Sequence, residues 1–184
     1  MNLQKPTKKT SAANKPAVLS AADKQRLRSE IEEMQTDNGY PALMAAFPRI
    51  FREGTRSVHA LEHPPGWHSL MRALLEQVNA LLDDRQVEGF VLLQAKSKLA
   101  GLRFYWVLAV PQDASDATQA LWERHVEEDE QTRALIRQAV QSACKQSGQT
   151  CERCGLMGAL RNFDGFLVTL CTPCAVRAEA GERW

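Results

Sequence analysis

The chain has 184 residues, 44% apolar and 24% charged, with 23 basic against 22 acidic side chains for a net charge of +1. That balance suits one folded domain with a small appendage and excludes a wholly disordered chain. The near-zero net charge selects no partner by itself.

The charge is unevenly spread. Residues 1–18 hold Lys5, Lys8, Lys9 and Lys15 and no acid, and removing those four lysines leaves 19 basic against 22 acidic residues, a net of −3. With few large apolar groups to offset the entropy of ordering, this stretch reads as a disordered basic tail, solubilising or nucleic-acid-touching. It lacks the apolar run of a signal peptide. The most apolar region, Phe90–Val110, is broken by Gln94, Lys96, Ser97, Lys98 and Arg103 and excludes a membrane span. A cytoplasmic setting is therefore expected.

An α+β domain is expected over residues 19–147. A helix opens near Ser20 and runs to about Thr36, carrying Leu27, Ile31 and Met34. A second covers roughly Pro41–Phe51 with a break near Pro48, and a third, Trp67–Leu82, shows a clear stripe of Leu70, Met71, Leu74, Leu75, Val78 and Leu82. Val87–Ala95 and Leu102–Val110 are rich in aromatic and branched residues around the polar turn Lys96–Gly101, which predicts a small antiparallel sheet. A long helix follows from Asp116 to about Ser147, weakening near Glu128–Gln131. Its Cys144 reads as a small buried thiol.

Residues 148–184 carry the strongest signal. Cys151-Glu152-Arg153-Cys154 and Cys171-Thr172-Pro173-Cys174 are separated by sixteen residues, the spacing of a structural zinc site. Four thiolates satisfy tetrahedral Zn²⁺, and a two-residue gap turns both sulfurs of a pair toward one ion. Two disulfides or a redox dithiol are the competing readings, and the absence of secretory features or a βαβ pattern counts against both. Ala159–Asn162 and Phe166–Leu170 flank the turn dipeptide Asp164-Gly165, and Ala175–Glu182 has a helical composition. Knuckle, hairpin and helix is the order of a treble-clef module.

Other chemistry is sparse. His59 and His63 stand four apart with Glu62 between them, but the glutamate is misplaced for a zincin and Pro64-Pro65 ends any helix, so a second metal site competes with an ordinary loop. An enzyme would need a cleft joining His59, His63 or His68 to Glu62, Asp83 or Asp84. No histidine follows His125, so an HNH-type base beside the cysteines is not expected. Lys96, Lys98 and Arg103 near Phe104, Tyr105 and Trp106, together with Arg153 and Arg161, are the candidate partner- or nucleic-acid-binding residues.

Several segments resemble an uncharacterised family of small phage, prophage and mobile-element proteins. They are Phe47-Pro48-Arg49-Ile50-Phe51-Arg52, the Gly66-Trp67-His68-Ser69-Leu70 opening of a helix, and Ala95–Tyr105, which is similar to the family's Val-Lys-Glu-Lys-Phe-Gly-Gly-Leu-Arg-Phe-Tyr signature. The cysteine segment matches in order, through Cys151–Gly155, Leu160-Arg161, Gly165-Phe166 and Thr169-Leu170-Cys171. The chain departs at Ser97 and Ala100, where the family has glutamate and glycine, and at Cys174, often histidine there. The resemblance spans about residues 45–176 and implies a fold and a mobile-element setting, with no reaction attached. The expectation is a non-enzymatic accessory protein with structural zinc that binds a protein partner; the alternative is nucleic-acid binding through the tail, the Lys96–Arg103 turn and the zinc module.

Overall fold

The computed structural model describes residues 39–53, 57 and 60–181. The tail, the helix expected over Ser20–Thr36, and His59 lie outside these residues. The architecture is α+β. Helix α1 (Tyr40–Ala46) has Pro41 in its first turn and ends at Phe47, where Pro48 removes the next amide donor, so it is shorter than the Pro41–Phe51 expected. Strand β1 (Leu61–Glu62) and a 3₁₀ turn (Pro65–Trp67) lead into α2 (His68–Leu81). The short α3 (Asp84–Gly89) is closed at its start by a capping box between Asp83 and Gln86. Strands β2 (Phe90–Lys98) and β3 (Gly101–Leu108) form the central hairpin.

The sheet is mixed, where a purely antiparallel one was expected. β1 lies parallel to β2, with Leu61 opposite Ala95 and Glu62 opposite Lys96, and the order is β1-β2-β3. A two-residue strand has no periodicity to read. β2 and β3 pair antiparallel with a bulge at Leu93, so that Leu93 and Gln94 both face Tyr105 across the ladder. The bulge resets the alternation. Phe90, Leu92 and Ala95 all stay on the buried face, opposite Leu108, Trp106 and Phe104.

That inner face packs against α2 through the fully buried Met71, Leu74, Leu75 and Val78, and against the long helix through Ile136 and Ala143. The expected Asp116–Ser147 helix is two helices, α4 (Asp116–Arg124) and α5 (Val126–Ser147), broken at His125 rather than near Glu128–Gln131. The break lets Asp129 turn inward, where Arg85 grips it through two hydrogen bonds of 2.9 and 2.6 Å and Gln86 donates a third at 2.8 Å. α5 also seals the free edge of β3. Ser147 Oγ accepts from the Leu102 amide, Cys144 Sγ donates to the Leu102 carbonyl, and Arg133 donates to the Leu108 carbonyl. Cys144 is half-buried there, and burial pushes its thiol above the ordinary range.

Beyond α5, strands β4 (Ala159–Phe163) and β5 (Phe166–Leu170) form a two-stranded hairpin, and α6 (Thr172–Glu179) follows. Asp164 and Gly165 both take positive φ at the tip, as expected of that dipeptide. A second, small core gathers here around the four cysteines, Val168, Leu170 and Ala175.

Candidate metal centre and the open face of the sheet

The first cysteine pair sits on a tight backbone knuckle. Gly155 adopts φ 76° and returns its amide to the Cys151 carbonyl at 3.0 Å, a conformation that costs a side-chain-bearing residue about 1–2 kcal/mol. Cys171 caps α6 and Cys174 lies in its first turn, so both sulfurs stand at the positive end of a helix, which favours thiolate. All four sulfurs lie within 4.8 Å of one another and are buried. None is in a disulfide. Thiolates around one tetrahedral ion, with bonds near 2.3 Å, stand about 3.8 Å apart, and the Cys154–Cys171 separation of 3.5 Å is close to that. Hydrogen bonds among the thiols draw Cys151 and Cys171 below the ordinary thiol range and push Cys154 and Cys174 above it. Geometry and donor set both fit a single soft cation.

The knuckle is also a socket. Gly66 enters it so closely that a Cβ there would lie 2.1 Å from the Cys151 carbonyl oxygen and 2.6 Å from the Gly155 nitrogen. Its amide donates to the Glu152 carbonyl at 2.9 Å, and the buried Trp67 donates from Nε1 to the Thr150 carbonyl at 2.9 Å. A second contact reaches the sheet. Thr169, fully buried, donates from Oγ1 to the Ala100 carbonyl at 3.1 Å. Ala100 and its neighbour Leu99 hold φ 60° and 54° at the β2–β3 turn, a left-handed pair that asparagine and glycine would occupy more cheaply. The sequence placed Gly66 and Thr169 within matched segments but gave neither a role in joining the two cores. The one available signal was a glycine after two prolines.

The sheet's other face is open. Val91, Leu93, Gln94, Lys96 and Lys98 of β2 share it with Arg103, Tyr105 and Val107 of β3 and Glu62 of β1. Phe104 points inward and Trp106 stacks on Phe90, so of the three expected aromatics only Tyr105 faces out, 45% exposed. Lys96 and Arg103 are direct cross-strand neighbours. Arg161 is not with them. It pairs with Val168, which is buried against the cysteines, so it faces the metal module's own core. Arg153 is half-buried within the knuckle.

Comparison with protein-family models, with curated proteins and with solved structures finds no match to the chain.

Among the described residues, His63 and His68 pair with each other rather than with Glu62, Asp83 or Asp84. His63 Nε2 and His68 Nδ1 lie 2.9 Å apart, both rings are buried, and Tyr40 packs on them while donating from its hydroxyl to the His63 carbonyl at 2.5 Å. Glu62 stands on the open face and accepts from Gln94, Asp83 caps α3, and Asp84 meets Arg49. Among the described residues the cysteine quartet is the one cluster fit to hold a metal, and no helix is long and apolar enough to cross a membrane.

Proposed function

We propose that this chain is a non-catalytic accessory protein, stapled by a structural zinc ion, that binds a partner on the open face of its three-stranded sheet. When bound, zinc supplies a cross-link among Cys151, Cys154, Cys171 and Cys174 and no reactive position, since four protein ligands close its coordination. The succession of knuckle, β4–β5 hairpin and α6, with the last two ligands at the helix start, supports a treble-clef arrangement. The resemblance to phage and mobile-element proteins supports an accessory role in such a setting.

The open face carries this reading. A sheet with one side in the core needs only polar residues on the other, yet Leu93, Tyr105 and Val107 are each more than 40% exposed there, side by side. That apolar end suits a protein partner. A second reading, nucleic acid, is favoured by the other end, where Lys96, Lys98 and Arg103 gather.

Affinity capture from the native host, with metal analysis of the purified chain, tests the proposal. We expect about one zinc per chain, and a partner recovered by the wild type but lost on Leu93→Ser with Val107→Thr, a variant that leaves the melting transition in place. An identical capture profile for the variant would sink the role of the face. Metal-free protein with cysteines oxidised in pairs would sink the zinc staple.

A further inference from the structure

We infer that the basic corner of the open face, Lys96, Lys98, Arg103 and Tyr105, is a site for single-stranded nucleic acid; this rests on the reading of the open face as the binding surface and specifies its ligand. Three cations lie on adjacent strands within one turn of the hairpin: Lys96 opposite Arg103, and Lys98 opposite Gly101. None of them forms an ion pair with a described residue. The one carboxylate on that face, Glu62, lies opposite Lys96 and accepts from the Gln94 amide at 2.8 Å, so it offsets part of the charge and leaves a positive surplus at Lys98 and Arg103. Arg103 turns its guanidinium back on the Leu102 carbonyl at 3.1 Å, a neutral acceptor that leaves the charge uncompensated. Such a concentration of positive charge on a chain whose body is otherwise net acidic is a local, directed feature.

Tyr105 selects the ligand class. It stands two residues from Arg103 on the same strand and face, about 6.7 Å along the chain, with its ring 45% exposed. A phosphate held by Arg103 and Lys96 would leave the attached base within reach of that ring. Stacking on an exposed aromatic requires a base whose face is free, which a single strand offers and a duplex does not. Leu93 lies across the ladder from Tyr105, so the corner borders the apolar patch that these two form with Val107, and a base stacked on Tyr105 would rest against that patch.

The turn that presents the corner is itself anchored. Leu99 and Ala100 hold left-handed backbone conformations, and the metal module clasps that turn through Thr169. The clasp fixes Lys98 and Arg103 at their spacing before any ligand arrives, which reduces the ordering cost of binding.

Fluorescence anisotropy of a labelled twelve-nucleotide oligo-dT and oligo-U, titrated with the full zinc-loaded chain, tests the proposal. Neutralising three phosphates of a single strand predicts binding that weakens about 20-fold between 50 and 200 mM salt. Tyr105→Ala should weaken binding by roughly 5- to 100-fold. Lys96→Glu with Arg103→Glu should abolish it, and the milder Lys96→Gln with Arg103→Gln should weaken it without touching the fold. The same sequence as a duplex should bind more weakly than the single strand. No anisotropy change at 50 mM salt overturns the inference. So does binding that survives these substitutions but vanishes when Lys5, Lys8, Lys9 and Lys15 are replaced, because the site would then be the tail. The same face variants, run through host capture, separate the two levels: a protein partner lost with the face but no oligonucleotide binding removes the nucleic-acid assignment and leaves the face as the binding surface.

Discussion

His63 and His68 share one buried hydrogen bond, and each keeps its other ring nitrogen away from water with no partner. Burial first, and the neighbouring His68 second, lower His63 to about 3; burial and then the Arg72 charge lower His68 as well. Tyr40, stacked on the pair, is raised by burial and by Glu62 and so stays neutral beside them. Both histidines are neutral in the fold, whereas the unfolded chain takes up protons below about pH 6.5. Their contribution is therefore complete above that pH and is lost as pH falls from 6.5 toward 3. Between pH 7 and 5, where most carboxylates are still ionised, urea unfolding should show a loss of about 2 kcal/mol for His63. His63→Leu with His68→Leu should flatten that slope; an unchanged slope in the double variant would assign the acid sensitivity elsewhere. From sequence His63 stood with His59 as a weak metal-ligand candidate and His68 as a possible cleft residue, because spacing alone cannot show that a loop folds one ring onto the next.

Between elements, the most exacting joint is Asp129 of α5 against α3. Its side chain is 2% exposed, and the Arg85 partner also lies over the Trp122 ring at 4.5 Å. Burial by itself would raise the Asp129 carboxyl, but the Arg85 and Gln86 hydrogen bonds hold it below the usual carboxylate range. The joint therefore strengthens the fold above about pH 4 and fails as pH drops through that lowered value. Asp129→Asn should cost about 3–5 kcal/mol in denaturant melts at pH 7, because it strands a buried guanidinium. A loss under 1 kcal/mol would mean that the pair relaxes to solvent. In the acidic stretch around Asp129, Glu127, Glu128 and Glu130 are exposed. Asp129 is the exception that the helix break at His125 creates. The α2 stripe was legible because its period matches a helix, and the β2–β3 hairpin because its residues favour strands. The bulge, β1 and α3 were not, since each depends on pairing or capping with residues far along the chain.

At the scale of the whole molecule, the contacts that join the two cores include Gly66 in the knuckle and Thr169 on the Ala100 turn. The cysteine quartet, its hairpin and its helix could be read from spacing and turn chemistry alone. Its role as a socket could not, because nothing local to Cys151–Cys154 announces a glycine some 85 residues upstream. The socket ties metal to distant backbone. Stripping the metal with excess chelator should raise amide exchange at Gly66 at least tenfold, along with that of the Glu152 and Thr169 amides, while the α2–α5 core keeps its protection. Gly66 exchange that ignores the chelator would show the socket to be rigid without its ion.

The Gly66 socket also sets an order of events during synthesis. The loop from Pro64 to Trp67 is made long before Cys171 and Cys174, and until those two emerge the knuckle that receives it has no complete ligand set. Closing a contact of that span is slow, and a chain translated at about 5–20 residues per second waits several seconds for the missing half. For most of that interval Trp67, fully buried at the end, has no Thr150 carbonyl to donate to, because Thr150 lies 83 residues downstream. A nascent chain thus carries Trp67 without its final partner until the knuckle is complete, and a knuckle that needs its ion to close would prolong that exposure when the ion arrives late.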